Sequence, residues 1–110
     1  MLYSTDFGQE PITSAFGVDI NGLDKYTDIA LIFQDGTQAT FSSHTTKSTS
    51  NIRCGTPTML FNGSSYIPAT NYCRLDRYPN RLWFHEVYNA DMSGNVYTEG
   101  RAIVGIIGIR

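Results

Sequence analysis

"TDIALIFQDGTQATFSS", residues 27–43, holds the clearest structural signal in the chain. Ile29, Leu31 and Phe33 alternate, Asp35-Gly36 turns the chain, and Ala39 and Phe41 alternate back, the pattern of a β-hairpin. Its register follows from the side chains. A two-residue Asp-Gly loop would set Phe33 opposite Gln38 and Leu31 opposite Thr40, mixing apolar with polar on one face. A three-residue loop, Gln34-Asp35-Gly36, pairs Leu31 with Ala39 and Ile29 with Phe41, and places Gly36 at the left-handed position such a loop wants. A slip of one residue turns every side chain to the other face, so the hydrophobic match selects the longer loop.

The rest of the chain has the same texture. Further strands are expected over residues 2–7, 12–20, 58–61, 65–67, 72–75, 81–88, 96–99 and 102–109. Turn chemistry separates them at Asn21-Gly22, Asn62-Gly63, Pro79-Asn80 and "NADMSGN", residues 89–95. The polar stretch "SSHTTKSTSNIRCGTP", residues 42–57, reads as a long surface loop, a place where function often resides. No internal repeat, charge block, proline-rich linker or long amphipathic helix interrupts the pattern. The expectation is one all-β domain over residues 1–110, a small antiparallel β-sandwich or barrel of about eight short strands.

Composition narrows the function classes. The 110 residues carry a formal net charge of −2, which argues against a nucleic-acid backbone as partner. Seven Tyr, six Phe and one Trp argue against a disordered chain. Only 16% of residues are charged, below the ~25% of an average domain, and Ser, Thr, Gly and Asn fill the gap. The start, "MLYSTDFGQEPITS", has neither a basic nor an apolar signal-peptide region, so a cytosolic product, a mature or excised domain, or a protein made in the cytoplasm and released by lysis is expected. Cys54 and Cys73 are separated by 18 residues; a disulfide there would add ~3 kcal/mol in the chain-entropy model, and two reduced thiols are the alternative.

The closing run, "RAIVGIIGIR", is apolar or glycine from Ala102 to Ile109. It is far too short to span a bilayer, which takes ~20 residues in a helix, so no membrane insertion is expected. Extended, it shows Ala102, Val104, Ile106 and Gly108 on one side and Ile103, Gly105, Ile107 and Ile109 on the other. Neither side is polar. One belongs to the core; the other needs a second layer or a neighbouring subunit, which would put Ile103, Ile107 and Ile109 at a homo-oligomer contact.

Catalytic signals are sparse. His44, His85 and the two cysteines follow no zinc spacing, and no cofactor or metal is expected. Glu86 and Glu99, on neighbouring expected strands, form the one carboxylate pair suited to acid–base work. No serine sits in a G-x-S-x-G elbow, and the sequon Asn62-Gly63-Ser64 already reads as a turn. The richest segment is "NYCRLDRYPNRLWFHEVY", residues 71–88, where Arg74, Arg77 and Arg81 fall among Tyr72, Tyr78, Trp83, His85 and Tyr88. In an extended strand Arg81, Trp83, His85 and Val87 share one side, and Leu82, Phe84, Glu86 and Tyr88 the other. With Leu82 and Phe84 as core, Trp83, His85 and Arg81 face out, with His44 as a possible rim. An outward indole suits stacking on a sugar or a protein hot spot, and arginines add planar hydrogen bonding to acidic groups. The competing reading makes Trp83 core.

"YTEGRAIVGIIGIR", closing a Ser/Thr/Asn/Gly-rich β chain, resembles the C-terminal tip domains of phage tail fibres and receptor-binding proteins. That resemblance covers the last third of the chain. It implies a non-enzymatic, virion-borne adhesion domain, a homotrimer packed about its closing strands, that binds a cell-surface glycan or an outer-membrane protein. A stand-alone carbohydrate-binding module and a small hydrolase or hydrolase-associated domain are the alternatives.

Overall fold

The hairpin adopts the three-residue register. β3 (Asp28–Phe33) pairs with β4 (Gln38–Ser42), with Ile29 opposite Phe41 and Leu31 opposite Ala39. The Phe33 N–H donates to the Thr37 carbonyl at 2.9 Å, the Gly36 N–H returns to the Phe33 carbonyl at 2.9 Å, and Gly36 has φ 88°. A computed structural model of the protein describes residues 1–42, 48–97 and 102–110; His44 and Glu99 lie outside them.

Two antiparallel sheets pack face to face. In the first, β9 (Ile103–Ile109) lies between β1 (Tyr3–Ser4) and β3, and β4 forms the far edge. In the second the order is β2 (Phe16–Asp19), β7 (Arg81–Asp91), β6 (Tyr66–Tyr78) and β5 (Thr49–Phe61), while β8 (Val96–Tyr97) pairs with the far end of β7. Among the described residues there is no α-helix, only 3-10 turns at Thr5–Phe7 and Leu23–Lys25. The all-β sandwich is therefore the architecture of the chain. One core fills the gap: Ile29, Leu31, Phe33, Ile103 and Ile106 from the first sheet meet Val18, Cys73, Leu75, Leu82, Phe84 and Val87 from the second. Each fully buried Leu, Ile or Phe contributes about 1.5–3 kcal/mol.

A polar bolt joins the sheets at one end. Asp35, in the β3–β4 turn, accepts from Thr58 Oγ1 at 2.5 Å and from Asn71 Nδ2 at 2.9 Å, and Asn71 also donates to Thr37 Oγ1 at 2.8 Å. Asn71 is fully buried on the inner face of β6, so these bonds satisfy side-chain N–H donors that would otherwise be costly to enclose, while its Oδ1 has no partner among the described residues.

Three expectations need correction. The stretch at 42–57 is not a long loop: from Thr49 onward it is β5, an edge strand paired with β6 along its length. Its inward positions Ile52 and Cys54 alternate with outward Asn51 and Arg53, and the abundant Ser and Thr disguise a half-exposed strand as a loop. Next, strict alternation fails in the closing strand. Ile32 pairs with Gly105 but Phe33 with Ile103, so Val104 is an extra residue in β9. This bulge puts Ile103 and Ile106 on the same, inner side. Ile103, expected at a subunit contact, is enclosed completely by the domain's own core. Ile107 is half-buried and Ile109 exposed on the outer side, beside Ala30 and Ile32. The third correction is a similar bulge in β7: Arg74 pairs with Glu86 but Leu75 with Phe84, leaving His85 as the extra residue. Val87 therefore turns inward to the core, while Glu86 and Tyr88 join the outer side.

The turn reading at Asn62 holds. Its side-chain oxygen accepts the Ser64 and Ser65 N–H groups at 3.0 and 2.9 Å, and Gly63 has φ 100°.

Candidate binding face

The outer face of the second sheet carries the side chains of interest because its inner face is fully occupied. Leu82 and Phe84 have no exposed surface, which sends Arg81 and Trp83 outward. The two-residue loop Pro79-Asn80 then fixes the partners across the β6–β7 hairpin: Tyr78 opposite Arg81 and Asp76 opposite Trp83. Asp76, Tyr78, Arg81, Trp83 and His85 together line an open hollow of about 480 Å³.

Each member is held. The Arg81 guanidinium carbon lies 5.7 Å from the centre of the Trp83 ring, a cation–π contact, and its Nε is 3.8 Å from Asp19. Gly17, opposite Trp83 on β2, leaves the space this guanidinium fills: a Cβ there would come within 2.2 Å of an Arg81 nitrogen. The Trp83 and His85 rings meet edge to face with centroids 6.4 Å apart. His85 Nε2 is 2.7 Å from Asp76 Oδ2, and an ionised carboxylate only accepts, so this nitrogen bears the proton. Asp76 also accepts the Asn51 N–H at 3.0 Å. Burial raises the Asp76 carboxyl, but the Asn51 N–H, His85 and the Arg74 charge more than reverse this and keep it below the usual carboxylate range.

Asn51 itself is an unusual residue. Its φ of 57° is left-handed, and it sits where β5 slips register between Thr49 and Ile52. That kink aims its N–H at Asp76 and its side-chain oxygen at Arg74, which donates to it at 3.0 Å. Arg74 also faces Glu86 at 3.5 Å. Beyond this pair the face continues through Tyr72 and Tyr88, with rings 4.7 Å apart. It reaches a second hollow of about 300 Å³ that includes Arg53, Pro57, Thr70 and Tyr72.

Of the residues singled out in the sequence, the fold brings Arg81, Trp83 and His85 together, while His44 falls outside the described residues. Arg77 is not part of this face; it points inward from β6 and is completely enclosed. Glu86 is committed to Arg74, and its expected partner Glu99 lies outside the described residues. Among the described residues no three His, Cys, Asp or Glu side chains cluster as a metal site would require. Sequence reasoning missed Asp76, Tyr78, Gly17 and Asn51. The first two were within reach, since a two-residue turn at Pro79-Asn80 already dictates what faces Arg81 and Trp83. Comparison with protein-family models, with curated proteins and with solved structures finds no match for this chain.

Proposed function

We propose that this domain is a non-enzymatic adhesion module that binds a cell-surface glycan through the Trp83 hollow, in the manner of the tail-fibre tip domains its closing segment resembles. The observation that carries the reading is an outward indole with a guanidinium beside it, both backed by a packed core. The indole offers a flat apolar platform for a sugar ring, and Arg81 and the Trp83 N–H offer donors to its hydroxyl or carboxylate groups. The neighbouring acidic groups favour binding over catalysis. Asp76, Glu86 and Asp19 are each engaged by a cation or by His85, which suits them to fixing side chains in place. The second hollow, on the same face of the sheet, gives a chain of several sugars room to continue past Tyr72.

The proposal extends to assembly and location: a homotrimer on a virion, packed through the outer side of β9, with an outer-membrane protein as the alternative receptor. One specific feature favours a hydrolase instead. The Asp76–His85 pair has the geometry of a general base and the residue that orients it.

Titration of immobilised neutral and acidic surface glycans against wild type and Trp83→Ala tests the reading. Loss of a central aromatic costs ~2 kcal/mol or more, about a thirtyfold loss of affinity. Thr40→Ala, on an exposed position of the opposite sheet, is expected to bind normally. Equal affinities for wild type and a folded Trp83→Ala would overturn the site, and release of reducing sugar dependent on His85 would make the protein a hydrolase.

A further inference from the structure

Cys54 and Cys73 face each other directly across the β5–β6 pair, with their sulfurs 3.2 Å apart. Directly opposed residues of antiparallel strands have Cα atoms about 4.5–5.5 Å apart, inside the 4.4–6.8 Å range that disulfides span. Bond formation therefore asks the sulfurs to close by about 1 Å and leaves the strands where they are. The two thiols differ in access. Both lie on the inner side of the sheet; Cys73 is fully buried, whereas Cys54, on the edge strand β5, is half-buried. We propose that this pair is an oxidisable dithiol, which a low-molecular-weight disulfide reaching Cys54 at the edge of the sheet converts into a cross-strand disulfide.

The chemistry is thiol–disulfide exchange. The Cys54 thiolate attacks one sulfur of the reagent, forming a mixed disulfide and releasing one thiolate. The Cys73 thiol then loses its proton, its sulfur attacks Cys54 Sγ, and the second reagent thiolate leaves. One small disulfide is thus reduced to two thiols as two protein thiols become one disulfide. Cys54 is the first nucleophile on grounds of access. Its position is reinforced by the hydrogen bond from Cys73, which lowers its thiol while raising that of Cys73, a shift that burial of Cys73 increases. The product ties the edge strand β5 to β6 three residues from Asn51, the residue that steadies Asp76.

Reduced native protein incubated with oxidised glutathione, then denatured, alkylated and weighed, tests the proposal. The expected product has lost two hydrogens, carries no glutathione and has no alkylatable thiol. Cys73→Ala is expected to hold glutathione on Cys54, and Cys54→Ala to leave Cys73 unreacted. A lasting glutathione adduct on the wild type, a covalent dimer or two unreacted thiols would overturn the proposal. The wild-type result decides alone if either variant fails to fold.

Discussion

Gly17 shows how much the proposed binding face depends on an atom that is missing. Its backbone lies outside the left-handed region, so alanine meets no conformational penalty there. Replacing a strand glycine by alanine removes an entropic cost of roughly 0.5–1 kcal/mol. The new Cβ would, however, displace the Arg81 guanidinium from beside Trp83. Gly17→Ala is expected to raise the denaturation midpoint slightly while weakening glycan binding, most for acidic glycans. A fall in midpoint with unchanged binding would mean that Arg81 stabilises the fold and contributes nothing to recognition. No pattern of residue types announces this role, because a glycine that makes room for a side chain 64 positions away is visible only once β2 and β7 are paired.

At the scale of elements, alternation was a sound guide until a bulge changed its phase. The 28–42 hairpin was legible down to its register, because one pairing alone put apolar opposite apolar. The outward placement of Arg81 and Trp83 was legible for the same reason. Beyond the extra residue His85 every assignment in β7 reversed, whereas in β9 the bulge at Val104 misplaced only Ile103 ahead of it; nothing in "WFHEVY" or "AIVGI" marks which residue a strand leaves unpaired. The edge strand β5 was hidden differently: its exposed positions open with Ser50, Asn51, Arg53, Gly55 and Pro57, residue types that also fill loops, and Thr49, Thr56 and Thr58 take half-buried positions where a strand usually shows apolar residues. The same hairpin yields a prediction about acid. Burial raises the Asp35 carboxyl, but bonds from Thr37, Thr58 and Asn71 more than reverse this and hold it well below its usual range. A carboxyl with a depressed folded pKa contributes stability above its unfolded pKa, and that contribution is lost as pH falls toward the folded value. The urea midpoint is expected to stay level from neutral pH down to about 5 and to decline below about 4. Asp35→Asn is expected to lower stability at neutral pH by about 1 kcal/mol, a modest figure because the residue is largely exposed, and to flatten the acid decline. An unchanged acid slope in that variant would remove Asp35 from the account.

For the whole molecule, the open question is what meets the outer side of the first sheet. Ala30, Ile32, Ile107 and Ile109 form an apolar strip there, bordered by Gln38, Thr40 and Ser42. If copies of the chain pack on this strip about a three-fold axis, light scattering after size exclusion will report a trimer. Ile107→Asp, which places a charge within the contact, will then yield monomer. A monodisperse wild-type monomer at micromolar concentration would overturn the trimer and leave the glycan site standing. The position of β9 has a consequence of another kind, for the order in which the molecule comes together. β9 is the last strand in the chain yet lies between two of the earliest, with Tyr3 opposite Ile106, more than a hundred residues apart. Until residues 103–109 arrive, β1 has no neighbour among the described strands, and the β3–β4 hairpin presents a bare edge. Contacts so distant in sequence make folding slow, because loop entropy is lost before any pairing compensates for it. During synthesis, the first sheet therefore remains incomplete and prone to association until its final strand slots into the middle.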